Sequence, residues 1–363
     1  MRSGSVSAAV AARLAEVVGA PLLASPWLAR LGRVSFLGTL DRHPRSRRAT
    51  SRLDHSLAVA ALGLQAGQAL GLAPAELKLL VTACLLHDIG HYPLSHAAEP
   101  GFVRALGVAH HGVSEWIVRG NGEIAAEQSL RPVLAAAGLD PEAVWAVIVG
   151  ADTGHAALSS LLLGPINVDT LDGIVRTARA FHQPGLKLPA GLFARDGDDV
   201  AITPAAIPIL DKFWALKDRM YAEIINLPSN IVCEAALSRA VAETYDRGIF
   251  GRFLGFDDAA LEPLATATAR AAGLSAGADE RFQFTRRPVT GDDLPRARKR
   301  YHVDPRVEPG PRGLRRADWA RRYRHGRQLF YVSEQAAAQQ MMLPGFAEVD
   351  DMPIPPGAEG PEI

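Results

Sequence analysis

TSRLDHSLAVA (Thr50–Ala60), read together with LLHDIGHYPLSHAAE (Leu85–Glu99), decides how this chain is read. The first stretch sets one histidine, His55, on an apolar helix. The second closes another apolar helix with an adjacent His87–Asp88 pair, and His91 and His96 follow within a few residues. Burying imidazoles and a carboxylate among aliphatic side chains is costly unless they are paired or bound to a cation. The pattern therefore points to a divalent-metal site, and the rest of the chain must supply the remaining ligand.

Working outward, residues 1–19 read as a short amphipathic helix ending near Gly19. Trp27, Leu28, Leu31, Val34 and Leu37 then recur near helical spacing, which predicts a core-facing helix across that stretch. DRHPRSRRA (41–49) is a basic loop. It places Arg45, Arg47 and Arg48 just ahead of Arg52 and His55, where an anionic ligand would meet them. The helix bearing His55 is expected from Ser51 to Leu70, with Leu53, Leu57, Ala60, Ala61 and Leu64 on its buried face and Gly71 as its stop. Pro74 suits the first turn of the next helix. AELKLLVTACLLHD is apolar almost all round, as a central core helix is.

Pro132 and Pro141 punctuate further helices. In NVDTLDGIVR, Asp169 and Asp172 stand three apart at a helix start and project to one side. Asp169, among Ile166, Val168 and Leu171, is the candidate fourth ligand. Asp172 and Arg176 have the spacing of a helical ion pair. GLFARDGDDVAI (191–202) carries an Asp-Gly turn and reads as a hairpin. Thr203 and Pro204 fit the cap and first turn of the next helix.

The 363 residues allow one large domain or two ordinary ones. Net charge is zero, and 48% of residues are apolar, mostly Ala, Leu and Val, which favours helices. Two cysteines cannot build a disulfide scaffold, and the expected compartment is reducing. No apolar run is long enough to cross a bilayer, and the Ala-rich N-terminus is interrupted by Arg13 and Glu16. A cytoplasmic protein without membrane contact is the expectation. The charge is uneven: from Arg281 to Phe330 there are 15 Lys or Arg against 5 Asp or Glu, a net +10. With Tyr301, Trp319 and Tyr323 interleaved, this window is a candidate nucleic-acid contact. The Pro-, Gly- and acid-rich tail after Leu343 reads as flexible. The organisation expected is a helical domain over 1–275 and a basic extension over 276–363.

His55, His87, Asp88 and Asp169 together make a borderline-to-hard donor set, suited to Mn, Mg, Fe, Co or Ni. Their order, with SRLDHSLAVA, LLHDIGHYPLSHAAE and NVDTLDGIVR around them, resembles the HD-domain metal-dependent phosphohydrolase superfamily. The likeness is closest to its dNTP triphosphohydrolase, or dGTPase-like, branch, and covers roughly residues 22–245. It rests further on LARLGRVSFLG, on Arg52 three residues before the first ligand, and on Gly90–His91–Pro93–Ser95–His96–Glu99.

The resemblance implies a mainly α HD helical bundle, here with a smaller mixed α/β C-terminal extension. It also implies a divalent metal held by His55, His87, Asp88 and Asp169, a nucleotide or related phosphate-ester substrate, and a homo-oligomer. His91 and His96 match the family histidines that face substrate phosphates. His110, followed by His111 and Ser114, matches a proton donor, although the family carries Glu where His111 stands. Asp172 is expected to orient an imidazole or a water, and Arg52 and Lys217 to contact phosphate.

The sugar end departs from the branch. Gly173 and Thr177 stand where an aromatic and an acid are usual, and Ile225 where a second tyrosine is usual. Two rivals remain: a di-iron HD oxygenase, whose second metal would need His111 and His155, and a nucleotide- or nucleic-acid-binding regulator. His43, His155, His182, His302 and His325 are expected on the surface or in loops.

Overall fold

The computed structural model describes residues 8–271 apart from 48, 152–153, 165, 190, 197–198 and 227, together with the strand segments 284–285, 301–303, 314–315, 327–329 and 332–333. The fold is mainly α. Its helices are α1 (Ala8–Val18), α2 (Ala20–Leu23), α3 (Pro26–Leu31), α4 (Arg52–Ala69), α5 (Pro74–Leu86), α6 (Glu99–Leu106), α7 (His110–Arg119), α8 (Arg131–Ala136), α9 (Pro141–Val149), α10 (Ala156–Leu163), α11 (Val168–Ala180), α12 (Ile207–Met220), α13 (Pro228–Thr244) and α14 (Asp258–Ala271).

The hairpin pairs β1 (Phe193–Asp196) with β2 (Asp199–Ile202), Phe193 opposite Ile202. Of the later strands, β3 (Phe284–Thr285) pairs with β7 (Val332–Ser333), and β4 (Tyr301–Val303) with β6 (Arg327–Leu329). Strand β5 (Leu314–Arg315) adds to the free edge of β2. Apart from these segments, the basic 281–330 window and the tail lie outside the described residues, as does the boundary expected at 275/276.

Helices α4 and α5 are the centre of the bundle. From Leu79 to Leu86 every α5 residue is buried. Against it α4 turns a face of small residues, which corrects the face read from Leu53, Leu57 and Ala61. Those three are only partly buried. The buried side carries His55, Ser56, Val59, Ala60, Gly63, Leu64 and Gly67. Close approach is the reason: a Cβ on Gly63 would sit 2.6 Å from Cys84 Sγ, and one on Gly67 2.4 Å from Leu77 Cδ1. Leucines at those places would hold the helices apart, so they flank the seam instead.

The helix expected through Leu37 stops at Leu31. Beyond it the backbone turns to pair with the approach to α4. Phe36 N donates to Thr50 O (2.8 Å), Arg52 N donates to Val34 O (2.8 Å), and Ser35 bridges Ser51. Val34 and Leu37 are buried, but from a strand-like connection. His43 is also buried, against the Phe181 ring, where a surface position was expected. Thr203 caps no helix through its side chain; a 3₁₀ turn, Pro204–Ala206, precedes α12. Among the described residues, no helix is long and apolar enough to cross a membrane.

Candidate metal centre

Three helix ends meet beside the α4–α5 seam. The first turn of α4 brings Arg52 and His55; its start is fixed by Ser51, whose Oγ accepts from Asp54 N while the Asp54 carboxylate accepts from Ser51 N. The end of α5 brings His87, its C-cap residue, and Asp88. The start of α11 brings Asp169 in its first turn and Asp172 one residue beyond it, behind an Asn167 cap that accepts from Thr170 N at 2.6 Å.

The four expected ligands converge. His55 Nε2 lies 2.9 Å from Asp169 Oδ1 and 3.5 Å from Asp88 Oδ2. His87 Nε2 lies 3.4 Å from Asp88 Oδ2 and 3.6 Å from Asp169 Oδ1. The far side of each ring decides what these atoms present. His87 Nδ1 is 2.9 Å from the Cys84 carbonyl, which can only accept, so Nδ1 carries the proton. His55 Nδ1 is 2.8 Å from Asp172 Oδ2, held ionised between that ring and Arg176. In the neutral rings both Nε2 lone pairs then face two carboxylates. Both Nε2 atoms are buried and make no hydrogen bond. Acceptors facing acceptors in a largely buried site favour positive charge between them. Rings oriented from behind by a carbonyl and a carboxylate are how proteins present imidazole to a metal. The residues present thus fit a divalent cation.

The electrostatics agree. Burial alone would raise the Asp88 pKa, but His87, His91 and Arg52 outweigh it and hold the carboxyl well below its ordinary value. Asp169 is likewise lowered against burial, by His55 and His87. Burial would lower His87, yet Asp88 and Asp169 carry its pKa well above the ordinary imidazole value. The donor set draws one positive charge to Nε2, and a proton and a metal ion compete for it.

Behind Asp88 sits Arg52. Its guanidinium gives Nη1 to Asp88 Oδ2 (2.7 Å), Nε to Ser95 Oγ (2.8 Å) and Nη2 to the Phe36 carbonyl (3.3 Å), and the side chain is buried. These bonds place it as a partner of a ligand. Asp172, with His55 on one oxygen and Arg176 at 2.7 and 3.2 Å, holds the same kind of position. Lys217 is buried on α12, with Nζ over the Trp214 and Tyr221 rings. Arg45 and Arg47 are exposed, and Arg48 lies outside the described residues.

The other Asp88 oxygen, Oδ1, faces His91 Nε2 at 3.2 Å. There His91, His96 and His110 form a second cluster. The tight packing depends on Gly90: a Cβ there would meet Ser114 N at 2.3 Å and His110 O at 2.4 Å, and Gly90 N donates to Ser114 Oγ. One carboxylate orients two of the rings. Glu99 takes His96 Nδ1 at 2.9 Å and His110 Nδ1 at 2.5 Å. In the sequence, the one signal for this role of Glu99 is its place three residues after His96.

The rings of His91 and His110 stack at 4.0 Å and 13°. A cation in the plane of one ring would lie out of the plane of the other, so the trio suits oxygens of an anion better than a second metal. His111 tilts against His110 at 4.1 Å, and His155 stands at the start of α10. Among the described residues, neither belongs to a group of donors close enough to share an ion.

Residues 52–139 match the family model described as HD domain. That segment is similar to the HD domain. The matched span holds His55, His87, Asp88 and the three-histidine cluster; Asp169 and Asp172 lie beyond it. Two solved structures are similar to this chain in fold. A phosphohydrolase from Bacteroides thetaiotaomicron VPI-5482 superposes with TM-score 0.58 at 16% identity, over 86% of this chain and 94% of that one. A hypothetical protein from Aquifex aeolicus does so with TM-score 0.63 at 16% identity, over 92% and 95%. No curated protein matches in sequence. At such identities the likeness is one of fold, and the chemistry must be argued from the site.

Proposed function

We propose that this chain is a metal-dependent phosphohydrolase acting on a nucleotide or a related phosphate ester. One observation carries the reading: two imidazoles, locked from behind, turn Nε2 toward Asp88 and Asp169, and the second oxygen of Asp88 opens onto three more histidines. The HD-domain match and the fold shared with the Bacteroides phosphohydrolase support it.

His55, His87, Asp88 and Asp169 hold the divalent ion, which when bound supplies Lewis-acid polarisation of a phosphoryl oxygen and of water. Arg52 keeps Asp88 ionised and in place. His91 and His96 meet the phosphate oxygens. Water oxygen bonds to phosphorus as the bond to the leaving oxygen breaks; Nε2 of His110 or His96 takes up the proton that the water loses and passes it to the leaving oxygen. Glu99, holding both Nδ1 atoms, leaves each Nε2 for that exchange. The relation to dNTP triphosphohydrolases extends to the phosphate end of the site. At the sugar end Gly173, Thr177 and Ile225 replace the usual residues; all three are buried, and Thr177 Oγ1 donates to the Gly173 carbonyl.

The test is a broad panel of nucleotides and phosphate esters with Mn²⁺, Mg²⁺, Co²⁺, Ni²⁺ and Fe²⁺, read as released phosphate, pyrophosphate or triphosphate. Turnover is expected with at least one pair and is lost in His87→Ala and Asp88→Ala. No turnover with any metal overturns the reading. The same preparations, passed over a sizing column with light scattering, test the homo-oligomer that the family resemblance implies.

A further inference from the structure

The loop from Asp88 to His96 carries three groups of the proposed site on a disfavoured backbone. Leu94 and Ser95 both lie in the left-handed region, at φ 57° and 51°. Side-chain-bearing residues hold such conformations only when their surroundings over-determine them. Three anchors do so here. Arg30 Nη2 donates to the His91 carbonyl at 2.8 Å. Leu94 N donates to Asp258 Oδ1 at 2.7 Å. Ser95 Oγ donates to the Ser35 carbonyl at 2.6 Å while accepting from Arg52 Nε.

Two of these anchors come from distant parts of the chain and are tied to each other. Arg30, fully buried on α3, also gives Nε to the Phe253 and Phe256 carbonyls, both at 2.9 Å, and lies 4.2 Å over the Phe253 ring. Asp258, the first residue of α14, takes Ser35 N on its other oxygen at 2.9 Å, and its own N–H reaches the Arg33 carbonyl. Segment 253–258 and the end of α3 therefore make one brace behind the loop. A buried guanidinium and a carboxylate each commit one bond to backbone atoms of this turn and the rest to the segments behind it, more than a surface connection needs.

We propose that Arg30 and Asp258 are positioning residues that hold the His91–His96 loop in its left-handed turn, so that both imidazoles face the phosphate end of the site. What the imidazoles meet rests on the phosphohydrolase reading; the brace rests on backbone geometry alone. Both act through backbone atoms and touch neither metal nor substrate.

Asp258→Asn and Arg30→Lys test this in full-length, ¹⁵N-histidine-labelled protein with saturating Mg²⁺. Arg33→Ala is the control: it breaks the neighbouring Arg33–Asp257 pair, whose arginine is half-exposed, and leaves the loop anchors alone. Both brace variants should displace the ring resonances of His91 and His96 and leave those of His55 and His87 in place. Affinity for inorganic phosphate, by calorimetry, should fall about tenfold or more, as for loss of a charged hydrogen bond. Arg33→Ala should match wild type in both readouts. Unmoved His91 and His96 resonances in folded Asp258→Asn, or equal displacement in Arg33→Ala, overturn the proposal. If wild-type protein binds no phosphate, the phosphate reading falls and the ring spectra alone judge the brace. If Arg30→Lys does not fold, the isosteric Asp258→Asn carries the test.

Discussion

Replacing Asp172 by Asn isolates what holds His55 in its metal-binding orientation. The carboxylate accepts the hydrogen bond of His55 Nδ1 at 2.8 Å and pairs with Arg176 at 2.7 Å. An amide of the same shape can still accept from one of them, but without charge. A charged hydrogen bond is roughly twice as strong as a neutral one, so about 1.5 kcal/mol leaves the ring, about tenfold in dissociation constant. Outer-sphere substitutions of this kind cost about 10–100-fold in metal affinity. Competition with a chromophoric chelator for Co²⁺ or Zn²⁺ reads this directly, with circular dichroism confirming the fold. Arg176→Leu is the companion variant: it breaks the ion pair and leaves the bond to His55, so its metal affinity should stay nearer wild type. Wild-type metal affinity in folded Asp172→Asn, or an equal loss in both variants, would refute the assignment of Asp172 to ligand orientation.

Other consequences are as direct. Burial raises the Asp41 pKa from 3.8 to about 7, against the Leu37 N–H bond to its Oδ2. The native state therefore binds more protons than the unfolded chain between those values, and stability falls as pH rises from 4 to 7; Asp41→Asn should flatten that slope and gain up to about 4 kcal/mol in denaturant melts at pH 8. An unchanged slope would count against it. Gly90→Ala forces a Cβ into Ser114 N and the His110 carbonyl, and should cost about 1–3 kcal/mol in urea unfolding. Ser51→Ala removes the cap of α4 and should lower stability by about 1 kcal/mol in the same assay.

The cluster of His55, His87, Asp88 and Asp169 is legible because such residues are improbable in a core: each stands among aliphatic neighbours in the sequence, and the structure brings the four together. Helix limits were legible where Gly and Pro fall, at Gly19, Gly71 and Pro74. What hides from sequence is set by contacts between distant segments. The buried face of α4 follows from how closely α5 approaches, and small residues carry no hydrophobic signal. Phe36 pairs with Thr50, so a helical spacing of apolar residues ends in an extended connection. The partners of Arg52 and Asp172 come from Asp88, Ser95, Phe36 and His55, far along the chain, and no local pattern announces that Arg30 is fully buried.

Asp88 divides its carboxylate between two compartments. Oδ2 faces the imidazole pair and Arg52, and Oδ1 faces His91. The two ends cannot be charged independently. A cation drawn against Oδ2 withdraws electron density from Oδ1 and weakens its pull on His91, which changes what that ring offers an anion. Reciprocity follows from thermodynamics: whatever factor a bound metal contributes to anion affinity, a bound anion returns to metal affinity. Metal titrations with and without phosphate should therefore differ by the same ratio as phosphate titrations with and without metal. On the proposed reading, one side chain joins the metal and anion sites in a single linked equilibrium.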